Sequence, residues 1–205
     1  MKQEYEIIKY QSLKHINIFI NDIHYRNVHS HNELEITHII DGDGYFKIND
    51  IIHHAKKGDT FVVNFNEAHE FIATKDHLLC LVIQISHSFI NDYFPSFKEL
   101  KFNNSKSLKT TKEFKDLIYN LAQTYFNQKD IYQLLVIKYI TQLLTYLTDN
   151  LSYELSSYSQ NDKDRVSRMI RWQNYIDEHL NEKISLRDLA KLEDLTVTSV
   201  SHLFT

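Results

Sequence analysis

The hydrophobic and polar positions of the first 86 residues alternate in short runs, which is the pattern of β-strands. Five such segments are rich in β-branched and aromatic residues, at 16–20, 34–40, 44–50, 60–65 and 78–86. The sequence Asp41-Gly42-Asp43-Gly44 favours a tight hairpin, because glycine takes positive φ at low steric cost. Several short strands at close spacing predict a sandwich or a small barrel.

After Pro95 the apolar spacing changes to three and four residues, which predicts amphipathic helices. A helix over 114–126 carries one apolar stripe, whereas a second, from about Asp130 to Tyr153, carries two. We expect one of these stripes to pack on its own domain and the other on a second copy of the chain. The alternative is a helix buried wholly within its own domain. The predicted dimerisation residues are Ile137, Ile140, Leu144, Leu147 and Leu151.

A polar, serine-rich segment at 156–164 is typical of a linker. Three further helical segments follow, at 165–180, 185–191 and 196–204, with Ser185 and Thr196 placed as N-caps. The predicted fold class is therefore α+β. Its predicted parts are an antiparallel β-barrel at 1–105, a helical dimerisation region at 106–155, the linker, and a small helical domain at 165–205.

Composition narrows the class of protein. The 205 residues contain 23 Lys and Arg against 27 Asp and Glu, so a globally basic nucleic-acid surface is excluded, although a local basic face is not. A single cysteine, Cys80, excludes an internal disulfide and a thiolate metal cluster. No apolar run approaches the ~20 residues of a membrane-spanning helix, and the N-terminus lacks a secretory signal. We therefore expect a cytoplasmic protein without membrane association.

A histidine cluster within the strand region is the main candidate for chemistry. His29, His31 and Glu35 occupy alternate positions, so in one extended strand their side chains share a face. Two imidazoles and a carboxylate can chelate a divalent ion, with His69 arriving from a separate strand as a fourth ligand. The same alternation directs a further set of side chains to the interior, namely Thr37, Tyr45, Lys47, Phe61 and Val63.

Two motifs in this region resemble those of the cupin barrel. The spacing H-x-H-x3-E-x6-G at 29–42 matches the first motif, and GDTFVVNFNEAH at 58–69 resembles the second, with Asn64 where proline is usual and Asn66 where glycine is usual. The ligands of metal-binding cupins are the three histidines and the glutamate. The resemblance implies either a divalent metal or an organic effector bound among the cluster and the interior residues named above. A third alternative is that these polar side chains only form hydrogen bonds with one another. In none of these cases do we expect a required cofactor.

The end of the chain carries another resemblance. Residues 184–204 (ISLRDLAKLEDLTVTSVSHLF) are similar to the first helix-turn-helix of the AraC/XylS family of bacterial transcription regulators, and 172–180 resembles its lead-in helix. Ala190 is small where two helices would cross, and Val200 lies on the apolar side of the second helix. A helix presented in this way enters the ~12 Å major groove of DNA. The residues expected to face DNA are Thr196, Val197, Thr198, Ser201 and His202.

Departures from the family pattern weaken the expected DNA binding. Asp194 replaces the usual turn glycine, although aspartate tolerates the left-handed conformation. The chain stops at Thr205, where the family continues with a connecting helix and a second helix-turn-helix. From Arg165 onward six basic residues balance six acidic ones, so few DNA phosphates would be neutralised.

The order of the motifs implies a bacterial transcription regulator of the AraC type, and not an enzyme. The cupin-like barrel would sense a small-molecule effector, the central helices would form a homodimer, and the incomplete helix-turn-helix would bind double-stranded promoter DNA, with RNA polymerase as a further candidate partner. One alternative is a metal-dependent cupin enzyme with a fortuitous helical tail. Another is a truncated regulator that disables full-length partners in mixed dimers.

Overall fold

A computed structural model describes residues 4–103, 108, 111–155 and 160–203. The chain forms two compact units, Met1–Ser156 and Ser157–Thr205. Among the described residues, no helix is both long enough and apolar enough to span a membrane.

The first unit contains all the described strands and three helices. The strands are β1 (Glu4–Tyr5), β2 (Ile16–Ile23), β3 (Tyr25–Ser30), β4 (Glu33–Ile48), β5 (Ile51–Lys56), β6 (Thr60–Val63), β7 (His69–Ser86), β8 (Leu100–Phe102) and β9 (Tyr153–Leu155). The helices are α1 (His87–Tyr93), α2 (Lys112–Asn127) and α3 (Tyr132–Asn150), with a 3-10 turn at Phe97–Glu99. β8 and β9 form a separate antiparallel pair.

Two long antiparallel strands, β4 and β7, form the centre of the main sheet. Each changes its outer partner along its length: β4 pairs first with β6 and then with β5, while β7 pairs first with β3 and then with β2. The short β1 adds to the outer edge of β3 in parallel. Because the partners change on both sides, the sheet curls into a half-barrel.

The predicted hairpin at 41–44 is wrong, because β4 runs straight through this segment. The β4–β7 pairing shifts register between Ile39 and Asp41, where β4 has one extra residue and forms a β-bulge, and again between Gly42 and Gly44. Gly42 has φ +96°, and a Cβ there would lie 2.1 Å from the carbonyl oxygen of His77. Glycine is therefore needed for a close approach of two strands. The actual turns occur at Asn49 (φ 52°) and Gly58 (φ 91°), where the chain takes the left-handed conformation.

Two apolar cores lie against the curled sheet. The inner core is formed by Ile23, Ile39, Phe46, Ile48, Ala55, Phe61, Val63, Phe71, Leu78, Cys80 and Val82. The helix-side core joins residues of β2, β4 and β7, such as Ile18, Ile36 and Ile83, to the apolar faces of α1, α2 and α3. Successive residues of β7 enter the two cores alternately, so the run Leu78–Ile85 is buried on both faces.

The predicted dimer seam on α3 is wrong for its three central residues. Ile140, Leu144 and Leu147 are 0%, 4% and 0% exposed within a single chain, where they join the helix-side core. Ile137 and Leu151 pack against the same core while staying partly exposed. The second apolar stripe is therefore used inside the first unit, where α3 packs on α2 and contributes to the helix-side core. Leu134 of α3 is 67% exposed, so the helix is not wholly buried in its own domain, and dimerisation itself stays a prediction.

The link from β6 to β7 places His69 at the start of β7. Asn64, where the cupin motif usually has proline, donates to the carbonyl of Phe102 at 3.0 Å and accepts from its N–H at 2.8 Å. Asn66, where glycine is usual, takes φ 60°, a conformation that asparagine tolerates better than most residues. Both substitutions therefore keep the link ordered instead of breaking it.

The second unit contains α4 (Gln160–Glu178), α5 (Leu186–Leu192) and α6 (Val197–Leu203). α4 begins inside the segment 156–164 that the sequence predicts as a linker, and residues 156–159 lie outside the described part of the chain. The core of the second unit is formed by Trp172, Leu189, Ala190 and Val200. The indole of Trp172 donates to the carbonyl of Leu189 at 3.0 Å, which ties α4 to α5.

The predicted N-caps of α5 and α6 are confirmed. Ser185 forms a capping box with Asp188, and the Thr196 hydroxyl accepts from the N–H of Ser199 at 3.1 Å. Asp194 takes φ 50°, as required of the residue that replaces the turn glycine. Glu193, which ends α5, binds the guanidinium of Arg171 through both carboxylate oxygens at 2.6 and 2.5 Å.

Candidate functional site

The polar cluster of the half-barrel is assembled from three strands. His29 is the penultimate residue of β3 and lies directly opposite His69, which begins β7, in the β-ladder. His31 lies between β3 and β4, so the single extended strand expected from the sequence is broken there. Glu35 follows in β4, and all four side chains are buried. The structure therefore brings together the four residues that the sequence selected.

The three imidazole rings surround a common point. Their centroids are 4.1 Å apart for His29 and His69, 5.0 Å for His31 and His69, and 6.1 Å for His29 and His31. One ring nitrogen from each lies within 4.8 Å of the other two. This spacing fits coordination of one ion by three nitrogen ligands.

Hydrogen bonds fix the tautomers of two of these rings. Nδ1 of His29 lies 2.8 Å from the carbonyl of Asn27, and Nδ1 of His69 lies 3.0 Å from the carbonyl of Glu67. A carbonyl only accepts, so each Nδ1 carries the proton and each neutral ring offers a lone pair at Nε2. Burial lowers the pKa of His69 to about 4 and also lowers the pKa of His29, so both rings are neutral near pH 7.

His31 is in the opposite state. Its Nε2 lies 3.0 Å from Oε2 of Glu35, and its Nδ1 lies 3.4 Å from Oε2 of Glu33. Burial lowers the pKa of His31, but the bonds to these two carboxylates outweigh it and raise the pKa to about 10. Tyr10 donates to the other oxygen of Glu33 at 2.7 Å. The two carboxylates therefore favour the charged form of His31, while the backbone N–H of Glu33 also points at Nδ1 across 3.4 Å.

Glu35 accepts hydrogen bonds at both of its oxygens. Thr37 donates to Oε1 at 2.8 Å, and Gln84 donates to Oε2 at 3.0 Å. Burial raises the pKa of Glu35, yet the contact with His31 and the hydrogen bond from the Gln84 amide outweigh it and keep the pKa well below its usual range. Gln84 also accepts from Asn17 at 3.1 Å. Sequence analysis missed Gln84, although a lone amide inside the apolar run 78–86 was a usable signal.

A cavity of about 300 Å³ opens beside this cluster. Its walls come from the N-terminal segment 6–9, from alternate residues of β2 and from β7. Its polar lining includes Glu6, Lys9, Asn17, Asn21, Arg26, His29, Glu35 and Gln84, and its apolar lining includes Phe19, Ile23, Phe71 and Val82. Such a mixture of aromatic surface with converging amides and charges suits a small polar ligand.

A family model for the AraC-like ligand binding domain matches residues 18–144, the part of the chain that contains most of the sheet, the cluster and most of the helix pair. The chain belongs to this family. The match agrees with the cupin-like α+β architecture predicted for the first unit. No curated protein matches the chain.

Solved structures that resemble the chain include cupins. A predicted oxalate decarboxylase from Thermotoga maritima is 26% identical to this chain, with a TM-score of 0.31. The match covers 35% of this chain and 64% of the decarboxylase, so the chain spans less than two-thirds of the length of that protein. A cupin protein from Bacteroides fragilis is 21% identical over 42% of this chain and 87% of its own, with a TM-score of 0.34. A cupin-2 domain protein from Shewanella frigidimarina is 14% identical over 37% and 74%, with a TM-score of 0.33.

The predicted interior residues of this AraC-like ligand binding domain divide into two groups. Thr37, Phe61 and Val63 are buried, but the described residues that line the cavity do not include them, so their place in the effector pocket stays a prediction. Tyr45 is 43% exposed, and Lys47 lies on the same outward face of β4, so their assignment to the pocket is wrong. The reason is the bulge after Ile39, which inserts one residue into β4 and reverses its alternation. Phe46 and Ile48 point inward instead.

A divalent ion fits the three histidines of the AraC-like ligand binding domain. Among the described residues, Nε2 of His69 is buried without a hydrogen-bond partner, which is the state of a nitrogen prepared for a ligand. The Nδ1–H bonds of His29 and His69 to backbone carbonyls are the outer-shell contacts that metal-binding histidines usually make. His31 would have to release its proton to coordinate.

The residues predicted to face DNA lie on α6 and at its N-cap. Thr196, Thr198 and Ser201 are exposed, and Val197 is 42% exposed, while Val200 between them is fully buried. The side chain of His202 lies outside the described part of the chain. The second unit therefore presents a face of hydroxyl groups to solvent. Its binding of DNA stays a prediction.

Proposed function

We propose that this chain is a transcription regulator of the AraC type, with a sensing first unit and a DNA-binding second unit. The observation that carries the proposal is the order of parts: an AraC-like ligand binding domain is followed by a separate unit with an exposed short helix, α6. The N-caps of α5 and α6 and the left-handed turn at Asp194 support this, because they are what a helix-turn-helix needs.

The effector would occupy the cavity beside the histidine cluster. Its volume of about 300 Å³ is at the lower end for small-molecule sites, which favours a compact polar molecule. Asn17 and Gln84 form a bonded amide pair in its wall, and both amides can donate and accept. The effector would act by binding one arrangement of the protein more tightly than another.

The DNA contact would be made by the N-terminal part of α6. Thr196, Thr198 and Ser201 supply hydroxyl groups for base edges and phosphates. The outward side of α6 carries no Lys or Arg among its described side chains, so the electrostatic part of the affinity would be small. We expect weak, low-salt binding by this chain.

The test is selection of binding sites from a random-sequence duplex pool with the full chain, followed by fluorescence anisotropy on the enriched duplex. Thr198→Asp places a negative charge on α6, and Gln142→Asp places the same charge on an exposed position of α3. We expect Thr198→Asp to weaken binding about ten- to hundredfold and Gln142→Asp to leave it unchanged. No enriched sequence, or equal losses in both variants, would contradict the proposal.

Metal binding by the half-barrel is a second candidate function, favoured by the fixed lone pairs of His29 and His69. A bound ion would supply Lewis acidity or an extra coordination site for the effector. Chelator-treated, tag-free chain should bind Zn²⁺ stoichiometrically, and His69→Ala should abolish this binding while His53→Ala should not. Retention of Zn²⁺ by His69→Ala would refute this assignment.

Homodimerisation, mixed dimers and contact with RNA polymerase stay predictions. A homodimer of this chain needs a surface other than Ile140, Leu144 and Leu147, since these residues are already buried. The expectation that the protein is not an enzyme is also a prediction. A metal-dependent enzyme is the alternative that the histidine cluster leaves open.

A further inference from the structure

The outer face of the curled sheet is covered by helices over one part of the β4–β7 ladder and exposed over the other. Near Ile36 and Ile83 this face lies in the helix-side core. Further along β4, Phe46 points into the inner core, so its chain neighbour Tyr45 faces outward. Ile72 lies opposite Tyr45 in the ladder and shares its face. Tyr45 and Ile72 are 43% and 40% exposed, so the outer face is open to solvent here.

Exposed apolar side chains lie side by side across this open face. Tyr25 of β3 pairs with Ile72 of β7, Ile72 pairs with Tyr45 of β4, and Tyr45 pairs with His54 of β5. Tyr25 is 49% exposed, and Ile52, two residues before His54, is 65% exposed. Contiguous exposed apolar surface of this kind marks an interaction site, and tyrosine is enriched in protein interfaces.

Two opposite charges lie in the next row of the same face. Glu70 of β7 pairs with Lys47 of β4, and each lies two residues along its strand from Ile72 or Tyr45. The hydroxyl of Tyr25 donates to Glu70 at 3.2 Å, which fixes this carboxylate at the edge of the apolar row. The apolar and charged side chains together form the outer patch, which has no net charge: Tyr25, Tyr45, Lys47, Ile52, Glu70 and Ile72.

The outer patch is complementary to itself about a two-fold axis that runs along the strands, between β7 and β4. Rotation about this axis places Ile72 opposite Tyr45 of a second copy, and Glu70 opposite Lys47 of that copy. Each contact then occurs twice, as a symmetric interface requires. Sheets that pack face to face lie ~10 Å apart with nearly aligned strands, a distance that paired lysine and glutamate side chains can span.

We propose that the outer patch binds the outer patch of a second copy of this chain, so that two half-barrels pack sheet against sheet. The inference specifies the surface of the homodimer expected under the proposed function, and it uses a face other than the buried stripe of α3. Stable interfaces bury about 1,200–2,000 Å² in total. Because the patch contains only four large apolar side chains, we expect a dimer of micromolar affinity.

Sedimentation velocity of the full chain at about 1 to 100 µM measures this dimer. Ile72→Lys places a charge at the centre of the patch, and Ile20→Lys makes the same change at an isoleucine of β2 that is 55% exposed and lies outside the patch. We expect Ile72→Lys to weaken the dimer at least about tenfold and Ile20→Lys to change it less than about twofold. Far-ultraviolet circular dichroism checks that each variant is folded.

Charge reversal tests the two-fold arrangement itself. Lys47→Glu makes the charges of the patch both negative, and Glu70→Lys makes them both positive. Each variant alone should dimerise at least about tenfold more weakly than wild type, because like charges then face each other. A one-to-one mixture of the two variants should associate about as well as wild type, although each chain keeps its like-charged neighbours on β4 and β7. Recovery in the mixture therefore reports contacts between chains and not within one chain.

The outcomes separate the dimer from the surface that forms it. A wild-type chain that stays monomeric at 100 µM refutes both. A wild-type dimer that Ile72→Lys weakens no more than Ile20→Lys does, or a mixture that stays as weak as its parts, refutes the outer patch and leaves dimerisation to another surface. DNA binding is measured separately by duplex selection, so its failure does not decide the result for the patch. Loss in Ile72→Lys together with recovery in the mixture supports the proposal.

Discussion

The charged state of His31 leads to a stability prediction that a single substitution can test. His31 is 1% exposed, and its two ring nitrogens lie 3.0 and 3.4 Å from the carboxylates of Glu35 and Glu33. His31→Gln removes the charge and keeps one amide donor. Breaking a buried ion pair by removing one partner typically costs about 3–5 kcal/mol, because the other charge stays buried.

The pKa of His31 gives a second way to calculate how much stability the protein would lose in His31→Gln. The rise from 6.5 to about 10 means that the folded state holds this proton more tightly than the unfolded state. The resulting stabilisation is complete below pH 6.5 and is lost as the pH rises through about 10. It amounts to about 4 kcal/mol at pH 7 and about 1 kcal/mol at pH 9, at about 1.4 kcal/mol per pKa unit. Since glutamine retains a donor, we expect His31→Gln to lose about 3 kcal/mol at pH 7.

Urea unfolding of wild type and His31→Gln in the presence of a chelator measures this difference at both pH values. His53→Gln is the control, because His53 is also buried and burial lowers its pKa, so it carries no charge near neutral pH. We expect this control to lose about 1 kcal/mol at either pH. The reasoning is refuted if His31→Gln costs less than about 1 kcal/mol at pH 7, or if its cost does not shrink toward pH 9.

Three further predictions concern the fold. Gly42→Ala should lower stability by at least about 3 kcal/mol in thermal melts, because φ is +96° at this position and the added Cβ would clash with the carbonyl oxygen of His77. An unchanged stability would contradict the bulge. Leu144→Ala should cost about 2–5 kcal/mol and Leu134→Ala less than about 0.5 kcal/mol, and equal costs would contradict the burial of α3. Glu193→Gln should cost the second unit about 2 kcal/mol, measured by Trp172 fluorescence. Arg171 lowers the pKa of Glu193, so this cost should shrink as the pH falls below 4.5, the ordinary pKa of glutamate, and through the lowered folded pKa. A cost that does not change with pH would contradict the pairing.

The local features of the fold could be predicted from the sequence. The segments of β2, β4, β6 and β7, the helices of the second half of the chain, and the N-caps Ser185 and Thr196 follow from periodicity and hydroxyl placement, whereas β3, β5 and α1 were not predicted. The cluster of His29, His31 and His69 follows from the resemblance to the cupin motifs, and the structure places the rings around one point. These features depend on short-range spacing, which a single sequence contains.

Features that depend on a distant partner could not be predicted. The glycines of 41–44 suggest a turn, and only the approach of the β7 backbone reveals a bulge there. That bulge reverses the alternation of β4, so Tyr45 and Lys47 were assigned to the wrong face. The two stripes of α3 indicate two partners but do not identify them. The contact of Glu6 with His29 joins segments 23 positions apart and had no motif to mark it.

The most direct test of the proposed function maps where DNA touches the chain. Backbone amide chemical shifts of the full chain would be recorded with and without the duplex enriched by selection. The proposal predicts changes concentrated at Thr196–Ser201, at the start of α6. Absence of changes there, with the duplex bound elsewhere or not at all, would contradict the assignment of the chain to gene regulation.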